Sequence, residues 1–142
     1  MNKICFLFLA IGLFCFKTYS QSATEKAILK ILDNQTQFWN QGDLDNFVLD
    51  YWNNDSLMFI GSSGVVYGYE NTIRRYKNTY SDTAKMGKLH FEVVHLQRLS
   101  SKYYFVVGKW FLNRSIGDIN GHFSLLVRRI KGKWKIIADH SS

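Results

Sequence analysis

Cysteine is nearly missing from this sequence: the two present, Cys5 and Cys15, both fall within the first twenty residues. The rest of the chain therefore has no disulfide, thiol nucleophile or cysteine-ligated zinc available to it. Histidine offers little more for metal chemistry. His90, His95, His122 and His140 show neither His-x-x-x-His spacing nor any other ligand grouping, so no metal and no cofactor is expected. Internal repeats and low-complexity runs are also lacking. Stability must come from a packed core, for which 16% aromatic residues supply the material.

No long block of one charge occurs either. The net charge is +7, but Lys26, Lys30, Arg74, Arg75, Lys77, Lys85, Lys88 and Arg98 are dispersed, never more than two together. Such dispersal reads as a solvated surface, and no nucleic-acid partner is expected. A binder of nucleic acid or an anionic surface would instead show a steep salt dependence.

The one long apolar run, Ile4 to Phe16, is interrupted only by Gly12 and falls short of the roughly 20 residues that span a membrane. It follows a positive tip, Met1-Asn2-Lys3, and ends in Lys17-Thr18-Tyr19-Ser20. This pattern predicts a secretory signal peptide over residues 1–20, cleaved after Ser20. Residues 21–142 then form one domain, secreted or periplasmic, with no stable membrane insertion. A retained anchor is disfavoured by length, and a lipid site at Cys15 by the bulky Phe14 before it. Loss of Lys3 and Lys17 lowers the net charge from +7 to +5.

Ser22-Ala23-Thr24-Glu25 fits a capping box, so a helix is expected to begin there, with Ile28, Ile31, Leu32, Phe38 and Trp39 on its apolar face and Gln35 beside them. Gly42 suits the left-handed end of that helix. Asp43 then caps a second helix, whose apolar residues Leu44, Phe47, Val48, Tyr51 and Trp52 follow the i, i+3, i+4, i+7, i+8 pattern. Leu57 to Ile60 and Val65 to Tyr67 read as short strands around the turn Gly61 to Gly64, and a third helix after Gly68 carries Tyr69, Ile73, Tyr76 and Tyr80. A polar link leads to strands over Leu89 to Leu99 and Tyr103 to Leu112, then a loop over Ile116 to Gly121. A closing hairpin turns at Lys131-Gly132-Lys133. The order predicts an α+β fold with the helices packed on one face of an antiparallel sheet.

Trp39-Asn40-Gln41-Gly42-Asp43-Leu44, Tyr51-Trp52, Gly64, Gly68, Gly132-Lys133-Trp134-Lys135-Ile136 and Asp139-His140-Ser141-Ser142 together resemble the nuclear transport factor 2-like superfamily. The nearest branch is that of uncharacterised secreted bacterial proteins similar to ketosteroid isomerases and polyketide cyclases. The resemblance runs from about Ser22 to Ser142. It implies a cone in which a strongly bent antiparallel sheet wraps three helices from the first half of the chain and leaves a pocket. It spans isomerases, cyclases, dehydratases and non-catalytic modules. Carried over residue by residue, the isomerases' helix-one tyrosine donor falls on Gln35, their general-base aspartate on Phe59 and their second acid near Phe123 to Leu125. Proton abstraction beside a carbonyl needs a base and an oxyanion donor, so steroid isomerase chemistry is not expected here.

His140, His122 and Asp139 are the candidate acid–base residues. Adjacent strand residues point to opposite faces, so Asp139 and His140 cannot couple on one wall, and strand-end hydrogen bonding is the competing role for both. Gln35, Tyr51, Phe59, Tyr76, Trp110 and Arg114 are the candidate pocket residues, with packing as the alternative for the aromatic ones and a solvated loop for Arg114. The expected function is an exported small-molecule pocket protein for an apolar or planar ligand, with scope for cofactor-independent isomerase-, cyclase- or dehydratase-like chemistry. The alternative is a non-catalytic dimerisation or accessory module. The expected partners are a small molecule and a second copy of the chain.

Overall fold

A computed structural model describes residues 21–142. The proposed signal peptide lies outside the described residues. Helix α1 (Ala23–Asn40) starts at the expected capping box: the Ser22 hydroxyl accepts from the Glu25 N–H, and the Glu25 carboxylate accepts from the Ser22 N–H. It ends in a Schellman turn, with the Gly42 N–H on Trp39 O and the Asp43 N–H on Phe38 O. Gly42 adopts a φ of +78°, which a side chain would oppose. Asp43 then accepts from Asn46 N–H and caps α2 (Leu44–Phe47).

The second helix is shorter than its apolar spacing predicts. After Phe47 the chain tightens into a single 3-10 turn, Val48–Asp50, and Tyr51 is extended. The reason is a competing partner: Tyr51 bridges Ile136 in parallel fashion and the Trp52 N–H donates to Ile136 O at 2.8 Å. Burial of Tyr51 is achieved by joining the sheet edge, not by a further helical turn.

Six strands follow in one sheet ordered β2-β1-β6-β5-β4-β3: β1 (Met58–Gly61), β2 (Gly64–Tyr67), β3 (Lys88–Arg98), β4 (Tyr103–Asn113), β5 (Ile119–Ile130) and β6 (Lys133–Ser141). The four long strands pair antiparallel as expected, whereas β1 joins β6 in parallel, placing Phe59 beside Asp139. The stretch Ile116 to Gly121 is not all loop. Ile119, Asn120 and Gly121 pair with Leu112, Phe111 and Trp110, so β5 begins earlier than its polarity suggests. The closing turn needs only two residues, Lys131 and Gly132, both at positive φ, which is the twist-matched geometry for a hairpin. Register shifts between Val93 and His95 and between Leu126 and Val127 interrupt the ladders and bend the sheet.

Helix α3 (Tyr69–Thr79) lies between β2 and β3 in the chain, and the polar link folds as a further helical turn, α4 (Thr83–Met86), capped by Asp82. Ile28, Ile31, Leu32 and Trp39 of α1 share one core with Phe59, Tyr76, Val106, Leu125 and Ile136. Each such side chain contributes roughly 1.5–3 kcal/mol by leaving water. Trp39 is fixed further by its indole N–H on Met86 O at 3.2 Å and by edge contacts to Phe47 and Tyr80.

Candidate functional site: a cavity between helices and sheet

Helices and bent sheet do not fill the space between them. They leave a cavity of about 270 Å³. Alternation along the strands decides what reaches it: Phe91 from β3, Trp110 and Leu112 from β4, Phe123 and Leu125 from β5, Asp139 and Ser141 from β6. From the other side come Leu32 and Gln35 of α1, Phe47 of α2, and Arg75, Tyr76 and Tyr80 on or just after α3. Gln35 is 3% exposed and its side-chain amide donates to Phe47 O at 3.5 Å.

Asp139 is the one acidic side chain among the described residues lining the cavity and is 4% exposed. Its Oδ2 accepts from the Tyr51 hydroxyl at 2.5 Å and its Oδ1 from the Ser141 hydroxyl at 3.1 Å. Tyr51 and Tyr76 lie 3.1 Å apart, oxygen to oxygen. Because Tyr51 has one proton and gives it to Asp139, Tyr76 must donate to Tyr51, and a directed chain Tyr76–Tyr51–Asp139 results. Burial pushes the Asp139 carboxyl up to about 6; the bonds from Tyr51 and Ser141 and the charges of Arg75 and His140 pull the other way without offsetting it. Burial, reinforced by the nearby Asp139 charge, also raises both phenols, so Tyr51 and Tyr76 remain protonated donors.

Arg75 is half-buried, its guanidinium 4.2 Å over the Phe59 ring and 5.8 Å from the Tyr76 ring. Gly61 makes room for it, since a Cβ there would lie 2.9 Å from Arg75 Nη2. The Trp110 indole N–H is buried with no acceptor among the described residues.

Of the residues nominated from sequence, Gln35, Tyr51, Phe59, Tyr76, Trp110 and Asp139 line one cavity. Three do not. His122 and His140 are exposed and fall one residue away from the inward Phe123 and Asp139, so their side chains point to the opposite face. Arg114 is held at the β4–β5 connection, its Nε–H donating to Gly117 O at 2.7 Å. Arg75 and Ser141 were not anticipated. Arg75 stands among dispersed basic residues, but its spacing of one turn from Thr72, which is buried, and its place beside Tyr76 mark the inner helix face. No group of three or more His, Asp or Glu side chains suited to a metal occurs among the described residues.

A bent, open sheet wrapped round helices with a pocket at its centre defines the nuclear transport factor 2-like superfamily, whose members typically bind small ligands. Within it the chain belongs to the SnoaL-like domain family, whose model matches residues 28–142. An NTF2-like protein of unknown function from Shewanella oneidensis MR-1 is 37% identical with a TM-score of 0.80, over 84% of this chain and 98% of that one. Two more distant structures share the fold. A ketosteroid isomerase-like protein from Erwinia carotovora atroseptica SCRI1043 is 14% identical at TM-score 0.64, over 82% of this chain and 93% of that one. Hexachlorocyclohexane dehydrochlorinase LinA-type3 from Novosphingobium barchaimii LL02 is 15% identical at TM-score 0.70, over 84% and 86%. No curated protein matches the chain.

Proposed function

We propose that this protein binds a compact, largely apolar small molecule in the cavity and exchanges a proton with it through Asp139. The observation that carries this reading is the pairing of Phe59 with Asp139 across β1 and β6. The base position of the isomerases is occupied by Phe59, and the carboxylate stands on the neighbouring strand, on the same inward side. The acid is displaced by one strand, not lost. A carboxyl near 6 is suited to taking up a proton and returning it close to neutral pH. At about 270 Å³ the cavity lies below the roughly 300–1,000 Å³ of sites for drug-sized ligands, which favours a single-ring molecule over a four-ring steroid. The test is a thermal-shift screen of single-ring compounds against the protein and Asp139→Asn, followed by hydrogen–deuterium exchange of each bound compound. Exchange that is catalysed by the parent and lost in Asp139→Asn supports the reading. Binding without exchange reduces it to a binding module.

Export and self-association belong to the same proposal. The N-terminal apolar segment motivates export, and N-terminal sequencing of secreted protein should begin at Gln21. Val94, 63% exposed at the β3 bulge, motivates pairing through the outer face of the sheet. Light scattering should then give twice the chain mass, and a Val94→Glu variant should give the monomer mass.

A further inference from the structure

The proposed function leaves one cavity group unused, and that group indicates what the ligand carries. Arg75 reaches the cavity wall with five N–H donors and, among the described residues, has neither a carboxylate within 4.0 Å nor a hydrogen-bond acceptor. Asp139 shares its cavity and accepts from Tyr51 and Ser141, but makes no ion pair with it within 4.0 Å. Asp139 lies near enough for its charge to be felt but not paired, and stacking on Phe59 satisfies the face of the guanidinium and none of its donors. The donors are left for something else. Trp110, another lining residue, has a buried indole N–H that is likewise without an acceptor among the described residues. Of the lining residues, Arg75 is the one cation, and its donors have no acceptor among the described residues.

We infer that the cavity takes a small organic acid, its anionic oxygens on the fork of Arg75 and its apolar body against Trp110, Phe123 and Leu125. Arg is suited to this because its planar fork meets a carboxylate with two parallel hydrogen bonds. Asp139 repels an anion placed beside it, which orients the acid group towards Arg75. This assignment rests on the pocket reading above, and the probes separate the two.

The experiment compares benzoate with benzamide, equal in shape and different in charge, by isothermal titration against the whole domain and the variants Arg75→Gln and Arg74→Gln. Arg74 is exposed on the same helix, so its replacement removes one charge without touching the cavity. Benzoate should bind at least tenfold more tightly than benzamide to the parent and to Arg74→Gln, and equally to Arg75→Gln. Circular dichroism confirms that Arg75→Gln is folded, and Arg75→Lys should keep part of the preference. Equal binding of the two probes to the parent, or a preference that survives Arg75→Gln, overturns the acid assignment and leaves the pocket reading standing. Binding of neither probe at millimolar concentration overturns both.

Discussion

The Tyr51 hydroxyl donates to Asp139 Oδ2 across 2.5 Å, joining the end of the 3-10 turn to the last strand. The two residues are 88 positions apart in sequence, and both are almost wholly buried. A buried carboxylate keeps its charge only where donors replace water, and here Tyr51 is the nearest of them. The chemistry proposed for Asp139 therefore depends on a residue that sequence spacing alone assigns to the apolar flank of a helix.

Tyr51→Phe should raise the Asp139 carboxyl above its present value of about 6, because it removes a bond that favours the charged form. It also strips Tyr76 of its acceptor. The expected cost at neutral pH is about 1–3 kcal/mol. Carbon-detected titration of the Asp139 carboxyl checks the first effect and urea unfolding the second.

Asp139 also makes stability depend on pH, with a sign opposite to that of a paired surface carboxylate. Its folded value, about 6, lies above the roughly 4 of an unfolded chain. Between those limits the folded state binds the proton and the unfolded state does not, so stability falls as pH rises through this window. The loss is on the order of 3 kcal/mol and is complete above the folded value. Arg75, His140, Tyr51 and Ser141 face or adjoin the group and all favour its charged form without cancelling burial. The unfolding free energy of the parent minus that of Asp139→Asn, followed from pH 4 to 7, should show this descent; a flat difference would remove the argument.

Gly108→Ala should destabilise the protein by about 1–3 kcal/mol through overpacking. An added Cβ would collide with Phe123 Cζ and with the backbone oxygen of Glu92. Phe123 lines the cavity, so any relief by moving its ring narrows the site as well. Denaturant unfolding measures the first consequence, and weaker benzamide binding the second.

The hairpin turn is open to improvement. Lys131 holds a φ of +48°, at a cost of roughly 1 kcal/mol for an ordinary side chain. Asparagine tolerates this geometry, so Lys131→Asn should raise the melting temperature by a few degrees without altering ligand binding. Differential scanning calorimetry checks it.

Local signals were legible where the physics is local. The Ser22–Glu25 capping box, the Gly42 terminus and the closing hairpin each occupy a few consecutive residues, and each forms as its composition implies. The end of the second helix was not legible, because the partner that draws Tyr51 out of helical geometry is Ile136, far along the chain. The start of β5 was obscured for the same reason, its polar residues being fixed by pairing to β4. At the site, alternation correctly separated Asp139 from His140 without saying which faces inward. Register settles that, since Asp139 aligns with Leu125 and Phe59, both buried. Arg75 escaped notice because a cation on an amphipathic helix ordinarily faces water.

The measurement that bears most directly on the cavity as a binding site is a nitrogen-15 correlation spectrum of the indole N–H groups during titration with benzoate. Trp110 lines the cavity, whereas Trp134 packs on Tyr104 away from it. A saturable shift of the Trp110 resonance is expected, with Trp52 and Trp134 unmoved. A Trp110 signal that stays in place while ligand binds, or movement confined to Trp52 or Trp134, would contradict it.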